Sequence, residues 1–179
     1  NDVILISRGD PLWFGIGRVL LDNFPKGELF FYPSITCVQL AFRKLKRPWQ
    51  NVKCLSIHGR ETNELIKEMK ARTHDLAIIP DPKKNNLELI KRNLLELQID
   101  NFYEIWLCEE LGFKGEKLTL LKTHKESPKD IADLYIIVLI KKEVLDSNAN
   151  YPLFGIKDSI FKTFNDRPNL LTKKEIRVQ

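Results

Sequence analysis

The sequence predicts an α/β fold built around a mainly parallel sheet. Two observations support this: short apolar runs rich in β-branched residues recur along the chain, and they alternate with segments whose apolar residues follow helical spacing. A third observation argues against a membrane-spanning helix. The longest apolar run, "LYIIVLI" at Leu134–Ile140, is far shorter than the roughly 18 residues that a membrane-spanning helix needs.

The elements follow from these patterns in chain order. Strands are expected at Val3–Ser7, Glu28–Tyr32, Val52–Ile57, Leu76–Ile79, Tyr103–Cys108, Lys117–Lys122 and Leu134–Ile140. Helices are expected at Pro11–Asn23, Ser34–Lys46, Thr62–Arg72, Leu87–Gln98 and Ser127–Ala132. The segment "EELGFKGE" joins Tyr103–Cys108 to Lys117–Lys122. A hairpin there would make the sheet mixed.

The first expected strand suggests how the chain divides into domains. Val3–Ser7 is apolar at nearly every position, and a strand apolar on both faces needs cover from neighbours on both sides. We therefore expect it to be the last strand of a domain whose earlier part lies upstream. The expected divisions are the end of an N-terminal domain at 1–32, a complete C-terminal α/β domain at 33–143, and a linker leading into a further domain at 144–179.

Charge and cysteine content limit the partners. The net charge is +5, but basic residues alternate with acidic ones in stretches such as "NELIKEMKAR", which is typical of solvated helix faces. We therefore do not expect nucleic acid as a partner, and a small polyanionic substrate suits the mild positive excess better. The three cysteines form no C-x-x-C pair, which favours a reducing compartment and a cytoplasmic protein.

A glycine-rich stretch follows the first expected strand. "SRGDPLWFGIG", Ser7–Gly17, would stand at the carboxyl end of a strand, where α/β folds place ligands. Gly9 permits a sharp turn or a close approach to the backbone, and Asp10 and Pro11 suit a helix start. The spacing matches neither a Walker loop nor a G-x-G-x-x-G fingerprint. A ligand-binding loop and a merely tight strand–helix connection therefore both remain open.

Several stretches together carry a more specific signal. "SRGDPLWFGIGR", "YPSITCVQLAFRKLKRPWQNVKCLSIHGR", "LAIIPDPKKNNLELI" and "IWLCEELGFKGEKLTLL" occur in this order, and "FGIKDSIF" precedes "LLTKKEIR" near the end. In sequence and spacing they resemble the tetrapyrrole methylases of corrin (vitamin B12) synthesis, in particular the C5-methylating domain that acts on precorrin-6/7-type intermediates.

The resemblance implies a fold, a cofactor and a reaction. Two α/β domains would hold S-adenosylmethionine between them, and its methyl group would pass to carbon C5 of a precorrin. The implied cofactor-binding residues are Gly9, Asp10, Trp13, Thr36, Cys37, Pro80, Asp81 and Cys108. Because the sulfonium already activates the methyl group, the enzyme mainly holds donor and acceptor in line, and no catalytic residue is assigned. The resemblance further implies a second, decarboxylating methyltransferase domain, which would methylate C15, after Val144.

Two further residues are candidates for contact with the substrate. His58 ends an expected strand in "SIHGR" and could contact the substrate or accept a proton, or simply bond to backbone. Glu109 and Glu110 are adjacent at a strand end, where neighbouring side chains point to opposite faces, so at most one faces a site, and we assign Glu109. No histidine has a second ligand at useful spacing, so we expect no metal.

The basic run Arg43–Arg47 leaves two interpretations open. It is either a solvated helix end or a surface that attracts a macrocycle bearing carboxylates. Three functions also stay open: a corrin-ring C-methyltransferase, a sibling methylase acting on another tetrapyrrole or on RNA, and a non-catalytic fragment. We expect the first, with the 179-residue chain inactive by itself. Homo-oligomerisation is left open.

Overall fold

The computed structural model describes residues 3–84, 86–122 and 128–142. The expected linker at 144–179 and residue Ser127, with which the last expected helix begins, lie outside these residues. Within them, the α-helices are α1 (Gly17–Asn23), α2 (Cys37–Leu45), α3 (Asn63–Ala71) and α4 (Leu87–Glu96), with a 3₁₀ turn at Lys26–Glu28. The strands are β1 (Lys53–Ser56), β2 (Leu76–Ile79), β3 (Tyr103–Glu109), β4 (Lys117–Leu121) and β5 (Tyr135–Lys141).

The five strands form one mixed sheet in the order β1-β2-β5-β3-β4. Only β1 and β2 are parallel, whereas the other three neighbouring pairs are antiparallel. The α/β class and the mixed sheet are confirmed, but the expectation of a mainly parallel sheet is wrong. The last strand, β5, inserts between β2 and β3 in the opposite direction, and no local pattern in the sequence reveals that placement.

Alternation of side chains along the strands divides the core into two layers. On one face, Leu65 and Met69 of α3 and Ile90 and Leu94 of α4 pack on alternate strand residues such as Ile137. On the other face, Val38, Ala41 and Phe42 of α2 pack on the residues in between, among them Ala77, Cys108 and Val138. Because helices cover both faces, β5 is apolar at five consecutive positions without being a parallel strand.

Capping residues determine where the helices begin. Thr36 and Gln39 form a capping box: the Gln39 amide donates to the Thr36 hydroxyl (3.3 Å), and the Thr36 amide donates to the Gln39 side chain (2.8 Å). The helix expected from Ser34 therefore starts at Cys37. Asn86 accepts from the amides of Glu88 (3.1 Å) and Leu89 (3.3 Å) and starts α4 in the same way.

Residues 3–35 differ most from expectation. Val3–Ser7 and Glu28–Tyr32 are not strands: among the described residues, no strand pairs with either of them. The helix expected at Pro11 begins only at Gly17, because Phe14 has a left-handed backbone (φ 52°) that a helix does not accommodate. Residues 128–132, the described part of the last expected helix, are not helical.

No helix in the described part of the chain combines the length and the apolar character needed to cross a membrane.

A pocket where strands β2 and β3 end

A pocket lies on the face of the sheet that α2 covers, where β2 and β3 end and β5 begins. Its volume is ≈ 470 Å³, within the range of about 300–1,000 Å³ typical of small-molecule sites. We call it the strand-end pocket. Its lining residues are Arg8, Gly9, Asp10, Trp13, Phe14, Gly15, Ile35, Thr36, Cys37, Leu40, Ile79, Cys108, Leu111, Gly112, Phe113, Leu134, Tyr135 and Ile136.

The loop before α1 forms one wall of the pocket. Gly9 has φ +66°, a conformation that L side chains rarely adopt, which accounts for glycine at this position. Asp10 closes a local turn, because its Oδ1 accepts from the Leu12 amide at 2.9 Å and its carbonyl accepts from the Trp13 amide at 3.1 Å. The indole of Trp13 packs on the α2-side core.

The other two glycines of the loop have a structural reason. The Gly17 amide donates to the Pro11 carbonyl at 2.8 Å. A Cβ at either Gly15 or Gly17 would lie 2.6 Å from that carbonyl oxygen, closer than real Cβ contacts come. Both glycines therefore permit the tight turn of the loop. Gly15 precedes α1 and is not part of the helix, contrary to expectation.

The start of α2 forms the facing wall through Thr36, Cys37 and Leu40. Burial raises the pKa of the Cys37 thiol, and burial raises that of Cys108 to about 12. Both thiols are therefore neutral near pH 7. They line the pocket as small apolar groups and not as nucleophiles.

The floor and rim of the pocket come from strand ends. Ile79 ends β2, Cys108 is near the end of β3, and Ile136 is directly opposite Cys108 in β5. The loop after β3 adds Leu111, Gly112 and Phe113 to the lining, and the segment entering β5 adds Leu134 and Tyr135.

Six of the eight predicted cofactor residues line this one pocket: Gly9, Asp10, Trp13, Thr36, Cys37 and Cys108. Pro80 and Asp81 directly follow Ile79 but are not in the lining. Sequence reasoning also missed much of the wall, namely Phe14, Leu40, Leu111, Phe113, Leu134 and Ile136. The available signal was their position: Leu111 and Phe113 follow β3, and Leu134 precedes β5.

Asp81 has a different local role. Its carboxylate accepts from the amides of Lys83 (3.0 Å), Lys84 (3.4 Å) and Gly59 (3.3 Å). These bonds, the Lys83 amide foremost, and the nearby His58 lower the pKa of Asp81. The carboxylate therefore connects the loops that follow β1 and β2. His58 is exposed beside it and does not line the strand-end pocket.

Glu109 is buried at the end of β3, outside the pocket lining. Its Oε1 accepts from the Ala132 amide at 3.0 Å, and its Oε2 lies 3.8 Å from the Lys117 ammonium. The carboxylate thus fixes the segment that leads into β5 and so supports Leu134 and Tyr135 indirectly.

Acidic side chains form ion pairs with several residues of the basic run Arg43–Arg47. Arg43 and Lys44 pair with Glu116, and Arg47 lies 3.9 Å from Asp75. This agrees with the solvated-helix interpretation. Among the residues that the structure describes, no group of three or more His, Cys, Asp or Glu could hold a metal ion.

Comparison with known proteins identifies the family. A model of the tetrapyrrole (corrin/porphyrin) methylases matches residues 1–125. The chain belongs to this family. The resemblance noted in the sequence is therefore confirmed at family level, and the strand-end pocket lies largely within the matched residues.

Individual relatives are about one quarter identical to this methylase chain over the aligned residues. A probable cobalt-precorrin-7 C(5)-methyltransferase of Methanocaldococcus jannaschii is 26% identical over 137 residues, which are 76% of this chain and 64% of that protein. A decarboxylating precorrin-6Y C(5,15)-methyltransferase of Sinorhizobium sp is 25% identical over 122 residues, 66% of this chain and 28% of that protein. The chain thus spans less than two thirds of either relative.

A solved structure supports the fold. Uroporphyrin-III C-methyl transferase from Thermus thermophilus, complexed with S-adenosylhomocysteine, matches with a TM-score of 0.55 and 17% identity, over 73% of this chain and 59% of that one. At this identity the likeness concerns the fold alone.

Proposed function

We propose that this chain forms the methyl-donor-binding part of an S-adenosylmethionine-dependent methyltransferase, and that the acceptor is carbon C5 of a precorrin-6/7-type intermediate. One observation carries the proposal. Loop residues 8–15, the start of α2 and the ends of β2 and β3 meet around a single pocket, whose lining contains six of the eight residues that the resemblance implies for cofactor binding.

The composition of the pocket suits that donor. S-adenosylmethionine has a flat adenine, a ribose with two hydroxyls, and a sulfonium cation. Apolar side chains such as Ile79 and Leu111 can cover the adenine, while the exposed backbone at Gly9 and the polar side chains of Asp10 and Thr36 can bond to polar groups. The indole of Trp13 suits a cation, because aromatic faces attract positive charge.

The residues around the pocket favour simple positioning over covalent catalysis. The bound donor supplies a methyl group already activated by the sulfonium charge, so the protein needs no nucleophile of its own. Cys37 and Cys108, whose thiolates would compete for that methyl group, are held neutral by burial.

The acceptor is proposed from the relatives' names. Both curated relatives are named as precorrin methyltransferases that act at C5, one of them also at C15. We extend this to a corrin precursor as the substrate of the protein to which this chain belongs. We infer that C15 methylation and decarboxylation, which the name of one relative includes, are not carried out by the residues of the strand-end pocket.

Binding and turnover test the two parts separately. Calorimetric titration of the folded 179-residue chain with S-adenosylhomocysteine should show one site, and folded protein without binding would overturn the donor assignment. The longest natural form of the protein, given S-adenosylmethionine and a precorrin-7-type acceptor, should add one methyl group at C5, read by mass spectrometry and NMR. Donor binding together with methylation of a different tetrapyrrole, or a salt-dependent shift of RNA, would reassign the acceptor.

A further inference from the structure

The loop between β3 and β4, residues 110–116, forms a large part of the pocket wall. Leu111, Gly112 and Phe113 line the strand-end pocket. Two turns fold the loop: the Phe113 amide donates to the Glu110 carbonyl at 2.9 Å, and the Glu116 amide donates to the Phe113 carbonyl at 3.1 Å. Phe113 is 59% exposed, so packing of its own ring does little to hold the loop in place.

Glu116 gathers several contacts at the far end of this loop. Its Oε2 accepts from the Gly112 amide at 2.8 Å and lies 3.6 Å from the Arg43 guanidinium, while its Oε1 pairs with the Lys44 ammonium. The side chain is only 11% exposed although both basic partners are largely solvated. The Lys44 bond first, and the Gly112 bond second, lower the pKa of Glu116.

The partners of Glu116 lie on two elements that contribute to the pocket, loop 110–116 and α2. Gly112 lines the pocket directly, whereas Arg43 and Lys44 are in the last turn of α2, the helix whose first turn contributes Thr36 and Cys37. The two walls also touch each other: a Cβ at Gly112 would lie 3.2 Å from the Leu40 Cδ1 atom. Glu116 therefore fastens loop 110–116 to α2 while its carboxylate stays outside the lining.

We propose that Glu116 is a positioning residue that holds loop 110–116 against α2 and so sets the width of the strand-end pocket. This inference rests on the proposed function, because it assigns Glu116 a part in donor binding. It needs no contact between Glu116 and the donor.

Two variants separate the contacts of Glu116, and a third variant is the control. Glu116→Ala removes the bond to Gly112 and both ion pairs, and we expect affinity for S-adenosylhomocysteine to fall about tenfold or more. Glu116→Gln retains an acceptor for the Gly112 amide but loses both ion pairs to α2, and should therefore recover only part of the loss. Glu64→Ala breaks the exposed pair with Lys53, 3.3 Å apart and outside the pocket, and should leave the affinity unchanged.

Hydrogen exchange distinguishes positioning from general stability. In Glu116→Ala we expect faster exchange at Gly112 and Phe113, while amides of β5 exchange as in the unmodified chain. Wild-type affinity together with unchanged exchange at Gly112 would overturn the inference. Should Glu116→Ala not fold, Lys44→Met tests the same contact with Glu116 in place, and unchanged affinity and exchange in that variant would overturn the inference equally. Absence of donor binding by the unmodified chain would instead defeat the proposed function, and exchange at Gly112 would still test the fastening of the loop.

Discussion

Two apolar runs in this chain are similar in sequence, but one is exposed and the other is buried. Val3–Ile6 reads "VILI" and Ile136–Ile140 reads "IIVLI". In the first run, exposed fractions range from 55% at Leu5 to 92% at Ile6, whereas no residue of the second exceeds 4%. The second run is a central strand with β2 on one side and β3 on the other. The first has no strand partner among the described residues.

The difference shows that β propensity alone does not make a strand. A strand is stabilised by its ladder bonds and by side chains packed across it, and both require partners from elsewhere in the chain. Residues 53–142 supply such partners to each other, and every strand expected there is present with small shifts at its ends. In residues 3–35, the loop around Gly9 packs on the α2-side core through Trp13.

The largest expected effect comes from truncating an isoleucine to alanine in each of the two runs. Ile137→Ala should lower the free energy of unfolding by about 2–5 kcal/mol, because the side chain is fully buried between helices and sheet. Ile4→Ala, at a side chain 87% exposed, should change it by less than roughly 0.5 kcal/mol. Urea denaturation of the 179-residue chain measures both. Equal losses would mean that the first run is packed in solution.

A substitution at Gly9 tests whether the loop before α1 serves binding. Gly9→Val should weaken S-adenosylhomocysteine binding at least about tenfold, because a branched side chain strains the backbone at φ +66° and lies against Ile35 and Thr36 in the pocket wall. Gly59→Val is the control: its φ of +61° matches the +66° of Gly9, and it lies outside the pocket. Both variants should lose similar stability. If affinity falls alike in both, Gly9 is only a turn residue.

A smaller effect is expected at the two helix caps. Thr36→Ala and Asn86→Ala each remove a side-chain cap and should each cost about 1 kcal/mol in the free energy of unfolding. Of these two helices, only α2 begins at the pocket. Calorimetry should therefore show several-fold weaker donor binding in Thr36→Ala and unchanged donor binding in Asn86→Ala. An equal affinity in both variants would contradict the assignment of α2 to the binding site.

The smallest effect concerns Asp81, which connects the loops after β1 and β2. The pKa of Asp81 is lowered in the folded protein. Its charged form therefore adds stability at pH values above about 3.9, the pKa of an aspartate in the unfolded chain. That stability disappears as the pH falls through the lower folded value. Asp81→Asn should therefore lower the melting temperature slightly near pH 7 and make no difference in strong acid. Asp22→Asn, at an exposed position of α1, controls for net charge, and a pH-independent difference for Asp81→Asn would contradict the assignment.

Much of the site could be predicted because its chemistry is local. The resemblance implies the loop with Gly9, Asp10 and Trp13, and the Thr36–Gln39 capping box marks the start of α2. Pro80 and Asp81 were expected at the cofactor site because the family resemblance implies them. The Asp81 carboxylate bonds instead to the amides of its own loop and to Gly59, and nothing in the residue order distinguishes these two outcomes.

The sequence by itself determined the α/β class, the positions of β1 to β5 and α2 to α4, and membership of the methylase family. These features depend on short-range periodicity, capping and local motifs, which are readable in a window of a few residues. Only the tertiary structure decided that β5 inserts between β2 and β3, that Val3–Ile6 forms no strand, and that Leu40 and Phe113 face one pocket. Strand pairing and pocket walls depend on which distant segments meet, because each backbone ladder and each wall needs a partner that the local sequence does not contain.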